Sequence, residues 1–372
     1  MDKQAIYSAT VAHYLAPIRQ YLEDPGVTEV MLNHADEIFI EKDGQITRTN
    51  ARFPDQEVYE AAVNNILQYT GRSLTDNESL IDARLPDGSR VHVVKQPCAR
   101  YGLAMTIRKF SKSMLDMDWL VQLGTLTEQA RQYLAVCVQS EHNLLVAGGT
   151  STGKTSLLNA LSASIPKTQR IVVIEDSAEL QLQQDHVLSL ETKPADRYGR
   201  GAVGIRELFR SSLRLRPDRI VIGEVRGGEA LDMIQAMTSG QGGSMGTLHA
   251  NNPSDALNRL ETMALMSKVE LPLYALRAQV SSAIDVIVQM NRFVGGRRLV
   301  SHITEVEPLS DDGHYRTRPI FEQVPVSDEK GEKTLQLKWT ERRSIFAGHL
   351  RPQEETLLTE LTRPIFEPRP VS

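Results

Sequence analysis

The stretch Gly148-Gly149-Thr150-Ser151-Thr152-Gly153-Lys154-Thr155 constrains this chain more than any other. It fits GxxxxGK[ST] at every fixed position. It directly follows the apolar run NLLVAG (143–148) and directly precedes TSLLNALSAS (155–164), whose apolar residues recur at helical spacing. A buried strand, a glycine turn and an amphipathic helix in that order imply an α/β core. The residue types suit a bound triphosphate. Gly148, Gly149 and Gly153 let the backbone wrap tightly with its N–H groups aimed inward. The following helix presents its positive end to phosphates. Lys154 places a cation on the β and γ phosphates, and the Thr155 hydroxyl can ligate Mg²⁺. The expected ATP cradle therefore runs over Gly148, Gly149, Thr150, Ser151, Thr152, Gly153, Lys154, Thr155 and Ser156. The competing reading is a chance match in a glycine-rich loop, and the strand–loop–helix context argues against it.

Further along, short apolar strands alternate with helices. A helix at 128–140, with Thr127 as N-cap, leads to strand 143–148. Strand RIVVIED (170–176), helix IRELFRSSLRLR (205–216), strand RIVIGEV (219–225), helix GEALDMIQAMTS (228–239) and strand GSMGTLHA (243–250) follow. This alternation predicts a largely parallel sheet with both faces covered. Before residue 118 the pattern is mixed α+β. VTEVMLN (27–33) and EIFIEKDGQIT (37–47) read as strands, with Asp43-Gly44 as a hairpin turn. DQEVYEAAVNNILQYTGR (55–72) reads as a helix, ARLPDGSRVHVV (83–94) as a hairpin turning at Pro86-Asp87-Gly88, and LAMTIRKF (103–110) as a strand. Residues 111–127 read as a connector. The last fifty or so residues are polar and carry few signals.

The 372 residues suit two or three domains. No apolar run approaches the roughly 18 residues of a spanning helix, and the N-terminus has no secretory pattern. Cys98 and Cys137 lie far apart outside any CxxC pattern, which points to a reducing, cytoplasmic setting without a cysteine metal site. A formal net charge of −5 disfavours non-specific nucleic-acid binding.

Two predicted strands end in carboxylates: RIVVIED delivers Glu175 and Asp176, and RIVIGEV delivers Glu224. Ligands of an open α/β sheet sit beyond the carboxyl ends of its strands. Glu224 therefore reads as a Walker B group serving Mg²⁺, with Thr155, and Glu175 as the group that orients water. The bland alternative for both is capping of nearby helices. His249, in GTLHANNP, also ends a strand, and from position alone a structural role is the simpler reading. Arg206, Arg210 and Arg214 stand four apart and form one stripe, suited to a solvated face or an intersubunit contact.

Taken together, GGTSTGKTSLLNAL, RIVVIEDSAELQLQ, LRLRPDRIVIGEVRGGEALDMIQAM and GSMGTLHANNPSDALNRLETM resemble, in order and spacing, the ATPases of type II and type IV secretion, pilus assembly and the archaellum. RPDRIVIGEVRGGEALDMIQAM and LETMALMSKVELPLYALRAQVSSAIDVIVQM look most like the CpaF/TadA branch, which serves tight-adherence pili. The resemblance spans about residues 20–310. It implies a RecA-like ATPase domain (128–310) behind a smaller α+β, PAS-like domain (1–118), joined by a linker (111–127). A C-terminal extension (311–372) has no counterpart in that pattern. It further implies a homo-hexamer at the cytoplasmic side of an inner membrane, partnered by a membrane platform protein. Glu175 matches the family's catalytic glutamate, Glu224 its Walker B glutamate, and His249 a histidine that senses the γ-phosphate. Arg90 and Arg108 match arginines that the N-terminal domain brings to the transferring phosphoryl group, with Arg84 a weaker third. The ordinary alternative for these arginines is a charged strand surface. Two rival functions remain at this level: a RecA-like nucleic-acid or conjugation motor, and a nucleotide-dependent scaffold that does not hydrolyse. The second is disfavoured by the presence of both Glu175 and Glu224.

Overall fold

The computed structural model describes residues 13–42, 44–69, 72–74, 78–110, 116–195, 199–327 and 333–367. The chain divides into two units, Met1–Ser113 and Met114–Ser372.

In the first unit, helix α1 (Arg19–Glu23) precedes β1 (Val27–His34), β2 (Glu37–Lys42) and β3 (Gln45–Arg48). Helix α2 (Gln56–Tyr69) follows, then β4 (Leu80–Arg84), β5 (Arg90–Val94) and β6 (Ala104–Arg108). The six strands form one antiparallel sheet in the order β3-β2-β1-β6-β5-β4. Alternation along β2, β4, β5 and β6 buries one face, whereas β3 at the sheet edge is exposed throughout. Val30, Leu32, Val91, Val93, Met105 and Ile107 meet Tyr59, Ala62, Val63, Ile66 and Leu67 of α2. The expected turn at 86–88 is present: Gly88 has φ +92°, and the Asp87 carboxylate accepts from Ser89 N. Of the other expected turn, Asp43 lies outside the described residues.

The second unit begins with α3 (Met117–Gln122), α4 (Glu128–Gln139), β7 (Leu144–Gly148), α5 (Lys154–Ser162), β8 (Ile171–Glu175) and β9 (Val187–Glu191). Then come α6 (Ile205–Ser212), β10 (Arg219–Val225), α7 (Glu229–Thr238), β11 (Met245–His249), α8 (Pro253–Leu265) and α9 (Leu273–Ala283). Strands β12 (Val286–Arg292), β13 (Arg298–Glu307), β14 (Arg316–Ser327) and β15 (Lys333–Trp339) precede two short helices, α10 (Pro352–Glu355) and α11 (Arg363–Phe366). Met117, Leu120 and Leu126 join this unit's core, so the connector expected at 111–127 is part of the second unit from Met117 onward. Residues 111–115 lie outside the described residues.

The nine strands lie in the order β15-β14-β13-β12-β7-β11-β10-β8-β9. From β12 to β9 every pairing is parallel, and from β12 to β15 every pairing is antiparallel. Strands β7 and β8 are buried at every position, as expected of strands covered on both faces. Helices α4 and α5 cover one face through Tyr133, Leu134, Leu157 and Leu161. Helices α7, α8 and α9 cover the other through Ile234, Leu257, Leu260 and Val280. Each such fully buried side chain contributes about 1.5–3 kcal/mol.

Residues 311–372 continue this unit. Strands β14 and β15 extend the sheet, and the segment after them returns to α4, where the Phe366 ring stacks on Tyr133 at 5.5 Å. Arg219 pins the opposite edge of the central strands. It is 1% exposed and donates to Gln169 Oε1, Gly243 O and Val138 O. Val138 sits in the last turn of α4, so part of the buried charge faces the negative end of a helix. Gly243 is required there, because a Cβ would fall 1.4 Å from Arg219 Nη1.

Candidate active site

Strand β7 ends at Gly148 and the chain turns through the glycine loop into α5. Two backbone features make the turn. Gly153, the residue before the helix, has φ +93°, and Ser151 has φ +56°. At Gly148 no side chain fits: a Cβ would lie 2.6 Å from both Met290 O and Thr152 Oγ1. The carbonyl of Gly149 accepts from Thr152 Oγ1 at 2.9 Å and from Lys154 Nζ at 2.8 Å. The lysine thus curls back over its own loop. Thr155 and Ser156 occupy the first turn of α5, half-buried, beside N–H groups that have no partner within the helix.

Parallel register brings the other sequence-selected groups of this unit to the same edge. His249 is paired with Gly148, so the two backbones run about 4.8 Å apart. Among the described residues the His249 imidazole makes no hydrogen bond. One strand further lies β10 with Glu224, and beyond it β8 with Glu175. Side chains alternate across a sheet, and Glu175 falls on the face of Ile171 and Val173, which pack with α5. It is 3% exposed, and its Oε1 accepts from Glu179 N at 2.9 Å and Leu180 N at 3.0 Å. Its stem crosses β10 at Gly223, where a Cβ would lie 2.8 Å from Glu175 Cγ. The Gly223 carbonyl in turn accepts from Thr247 Oγ1 at 2.6 Å.

Glu224 sits differently. A register shift between Ile222 and Val225 re-aims it, and its carboxylate takes Arg226 Nε at 2.8 Å. Arg226 also reaches Asp176 at 3.5 Å. These neighbouring carboxylates hold its guanidinium charged above the ordinary arginine value, although burial alone acts the other way. A Mg²⁺ ion bound largely through nucleotide phosphates and water needs only one or two protein oxygens. The Thr155 hydroxyl fits that need, with Glu224 as the acid one strand removed from His249.

Arg90 and Arg108 belong to the first unit, where they are direct cross-strand partners. Arg84 is paired with Arg90, and Glu29 with Arg108 at 3.8 Å. Like charges opposite one another destabilise a sheet. This three-arginine row is therefore an unusual strand surface and a favourable one for an anion. The Arg206 stripe has a more ordinary purpose. Arg206 and Arg210 both bind Asp232 of α7, at 2.6 and 2.7 Å, although Arg210, like Arg214, is exposed. They tie α6 to α7.

Sequence reading passed over Gly223, Arg226 and Gln289. The run GEVRGGE around the first two carries a visible signal, a glycine between apolar residues and an acid. Gln289 lies in VIVQM and is marked only by a polar residue inside an apolar strand.

The family model for type II/IV secretion system proteins matches residues 12–336. The type IV secretion system protein PtlH of Bordetella pertussis is 34% identical over 314 residues, covering 77% of this chain and 92% of PtlH. The conjugal transfer protein TrbB of Rhizobium radiobacter is 31% identical over 300 residues, covering 80% and 88% respectively. Among solved structures, the Legionella pneumophila ATPase DotB superposes with a TM-score of 0.56 at 17% identity over 77% of this chain and 79% of DotB. That likeness concerns the fold.

Proposed function

The chain belongs to the type II/IV secretion system protein family, and from that premise we propose that it is a hexameric motor that hydrolyses Mg-ATP at the β7–α5 loop to drive macromolecular transport at the inner membrane. It is an ATPase of that family. The observation that carries the site assignment is convergence: the glycine loop, His249 and Glu175 stand at one edge of one sheet on the α5 side.

In this reading the loop N–H groups and the first turn of α5 receive the phosphates. Lys154 exchanges the Gly149 carbonyl for β and γ oxygens. Thr155 and Glu224 are the residues that would hold Mg²⁺, which would supply positive charge to the phosphates. Glu175, steadied by two backbone N–H donors, orients the attacking water. His249 reads the presence of the γ-phosphate, and Arg90 and Arg108 supply cations to the transferring group. The motor's partners are an inner-membrane platform protein and five further copies of the chain. PtlH and TrbB as relatives favour secretion or conjugal transfer as the task. Pilus assembly of the CpaF/TadA kind is the second reading, favoured by the boxes RPDRIVIGEVRGGEALDMIQAM and LETMALMSKVELPLYALRAQVSSAIDVIVQM.

Phosphate release by the purified protein with Mg-ATP tests the site. Lys154→Ala is expected to remove turnover to below about 1% of wild type, a loss of roughly 3 kcal/mol in transition-state stabilisation. Persistent turnover in that variant would place catalysis elsewhere.

A further inference from the structure

The phosphate-loop strand β7 has two neighbours. On one side is β11, which carries His249. On the other is β12, where Gln289 is in register with Ala147 and Met290 with Gly148. Strand β12 is apolar from Val286 to Met290 apart from this one glutamine, whose side chain is fully buried. By alternation it stands on the face of Ile287 and Ala147, away from α5. A buried amide at such a place costs stability unless its groups are paired.

Its pairing is directed. Nε2 donates to Ala250 O at 3.1 Å and to Asn291 Oδ1 at 3.2 Å. Oε1 is buried and accepts from no protein donor among the described residues. The donor end of the amide is therefore the end in use. Ala250 is the residue immediately after His249 and is itself fully buried. Its N–H donates to Gly148 O at 3.3 Å, and its carbonyl takes Gln289. Both polar groups of this one residue are thus tied, one to the first glycine of the phosphate loop and the other to β12. The β12 backbone is held in turn from β13, because Ser301 Oγ donates to Gln289 O at 3.3 Å.

We propose that Gln289 is a positioning residue that bridges across β7 to fix Ala250, and so sets where His249 stands against the phosphate loop and passes its movement to the β12–β13 hairpin. The proposal rests on the phosphate-loop reading above and adds a residue that touches neither nucleotide nor magnesium. A displacement at His249 cannot leave Ala250 in place. Ala250 in turn cannot move without stretching its bond to Gln289. Coupling of this kind needs a contiguous element that both ends bias, and the amide is that element.

Three variants and one wild-type measurement test it. Gln289→Met keeps the length and removes the donor, and Gln289→Leu removes the polar ends and shortens the stem. Each is expected to lower kcat for ATP at least tenfold while affinity for ADP stays within threefold of wild type. Gln289→Asn, which keeps a donor on a shorter stem, is expected to recover part of that loss. A purely structural glutamine would instead lower thermal stability and leave the kcat of the folded fraction unchanged, and that result would overturn the proposal. So would a loss of ADP affinity parallel to the loss of kcat. Lys154→Ala serves as the control for the underlying reading: if that variant still turns over, the site assignment fails independently of Gln289. Should the Gln289 variants not fold, hydrogen exchange on the wild-type protein decides. A non-hydrolysable ATP analogue is expected to slow exchange in residues 286–305 together with 247–252. Protection confined to 148–156 would contradict the bridge.

Discussion

At the scale of single residues, the site is governed by where side chains cannot be. Gly148 is excluded from bearing a Cβ by Met290 O and Thr152 Oγ1, and Gly223 by the stem of Glu175. The second exclusion has a direct consequence. A methyl group at 223 must push Glu175 aside or strain β10, and Glu175 is tied by two N–H bonds that resist displacement. Gly223→Ala is expected to reduce kcat by tenfold or more, about 1.4 kcal/mol or above, with nucleotide affinity close to wild type. Steady-state ATPase assays beside ADP titration check this. Unchanged kcat would mean that the exact placement of Glu175 does not matter to turnover. Glu175 itself was legible in the sequence because a strand-end acid needs only hydrophobic patterning to be noticed. The glycine that makes room for it was not, since its reason lies in a neighbouring strand 48 positions away in sequence numbering, from 175 to 223.

At the scale of elements, sequence patterning succeeded where strands are covered on both faces. LLVAG (144–148), IVVI (171–174) and IVIG (220–223) are apolar without interruption because helices lie above and below them. Patterning failed after residue 310. There β14 and β15 extend an antiparallel flank, and the returning segment is held by scattered apolar side chains such as Phe346, Ile365 and Phe366 together with single long-range bonds, without a regular period. Glu305 shows how. This fully buried carboxylate accepts from Tyr133 OH of α4 and from Ile345 N of the returning segment, both at 2.7 Å. Burial raises its proton affinity above the ordinary glutamate range, against the opposing effects of Ser344, Tyr133, Ile345 and Arg318. A carboxyl that holds its proton more tightly when folded gives most stability below its unfolded value, and that contribution fades as pH rises through the raised folded value. Glu305→Gln removes this titration. The stability of the variant relative to wild type is therefore expected to rise as pH climbs from the ordinary glutamate value through the raised folded value, measured as urea midpoints. A difference that is flat or falls with pH would show that Glu305 is not protonated more readily in the folded state.

At the scale of the whole molecule, the second unit is a parallel sheet whose strand order places β11 between the phosphate-loop strand and the strand of Glu224. The strands that carry the glycine loop, the histidine and the acids are thereby neighbours in the sheet although scattered in sequence, the arrangement on which the proposed triphosphate site rests. The first unit carries its own row of arginines on an antiparallel sheet, Arg84 paired with Arg90 and Arg90 with Arg108. In the proposed mechanism hydrolysis depends on a carboxylate held ready on the loop face, and of the two strand-end acids Glu175 occupies that face while Glu224 is engaged by Arg226. Glu175→Gln isolates the claim, because an amide oxygen still accepts from Glu179 N and Leu180 N while the charge is lost. The decisive measurement is the turnover number of this variant beside its ADP affinity. The account predicts a kcat at least 100-fold below wild type, about 2.7 kcal/mol, with affinity changed less than threefold. Turnover within threefold of wild type would contradict it.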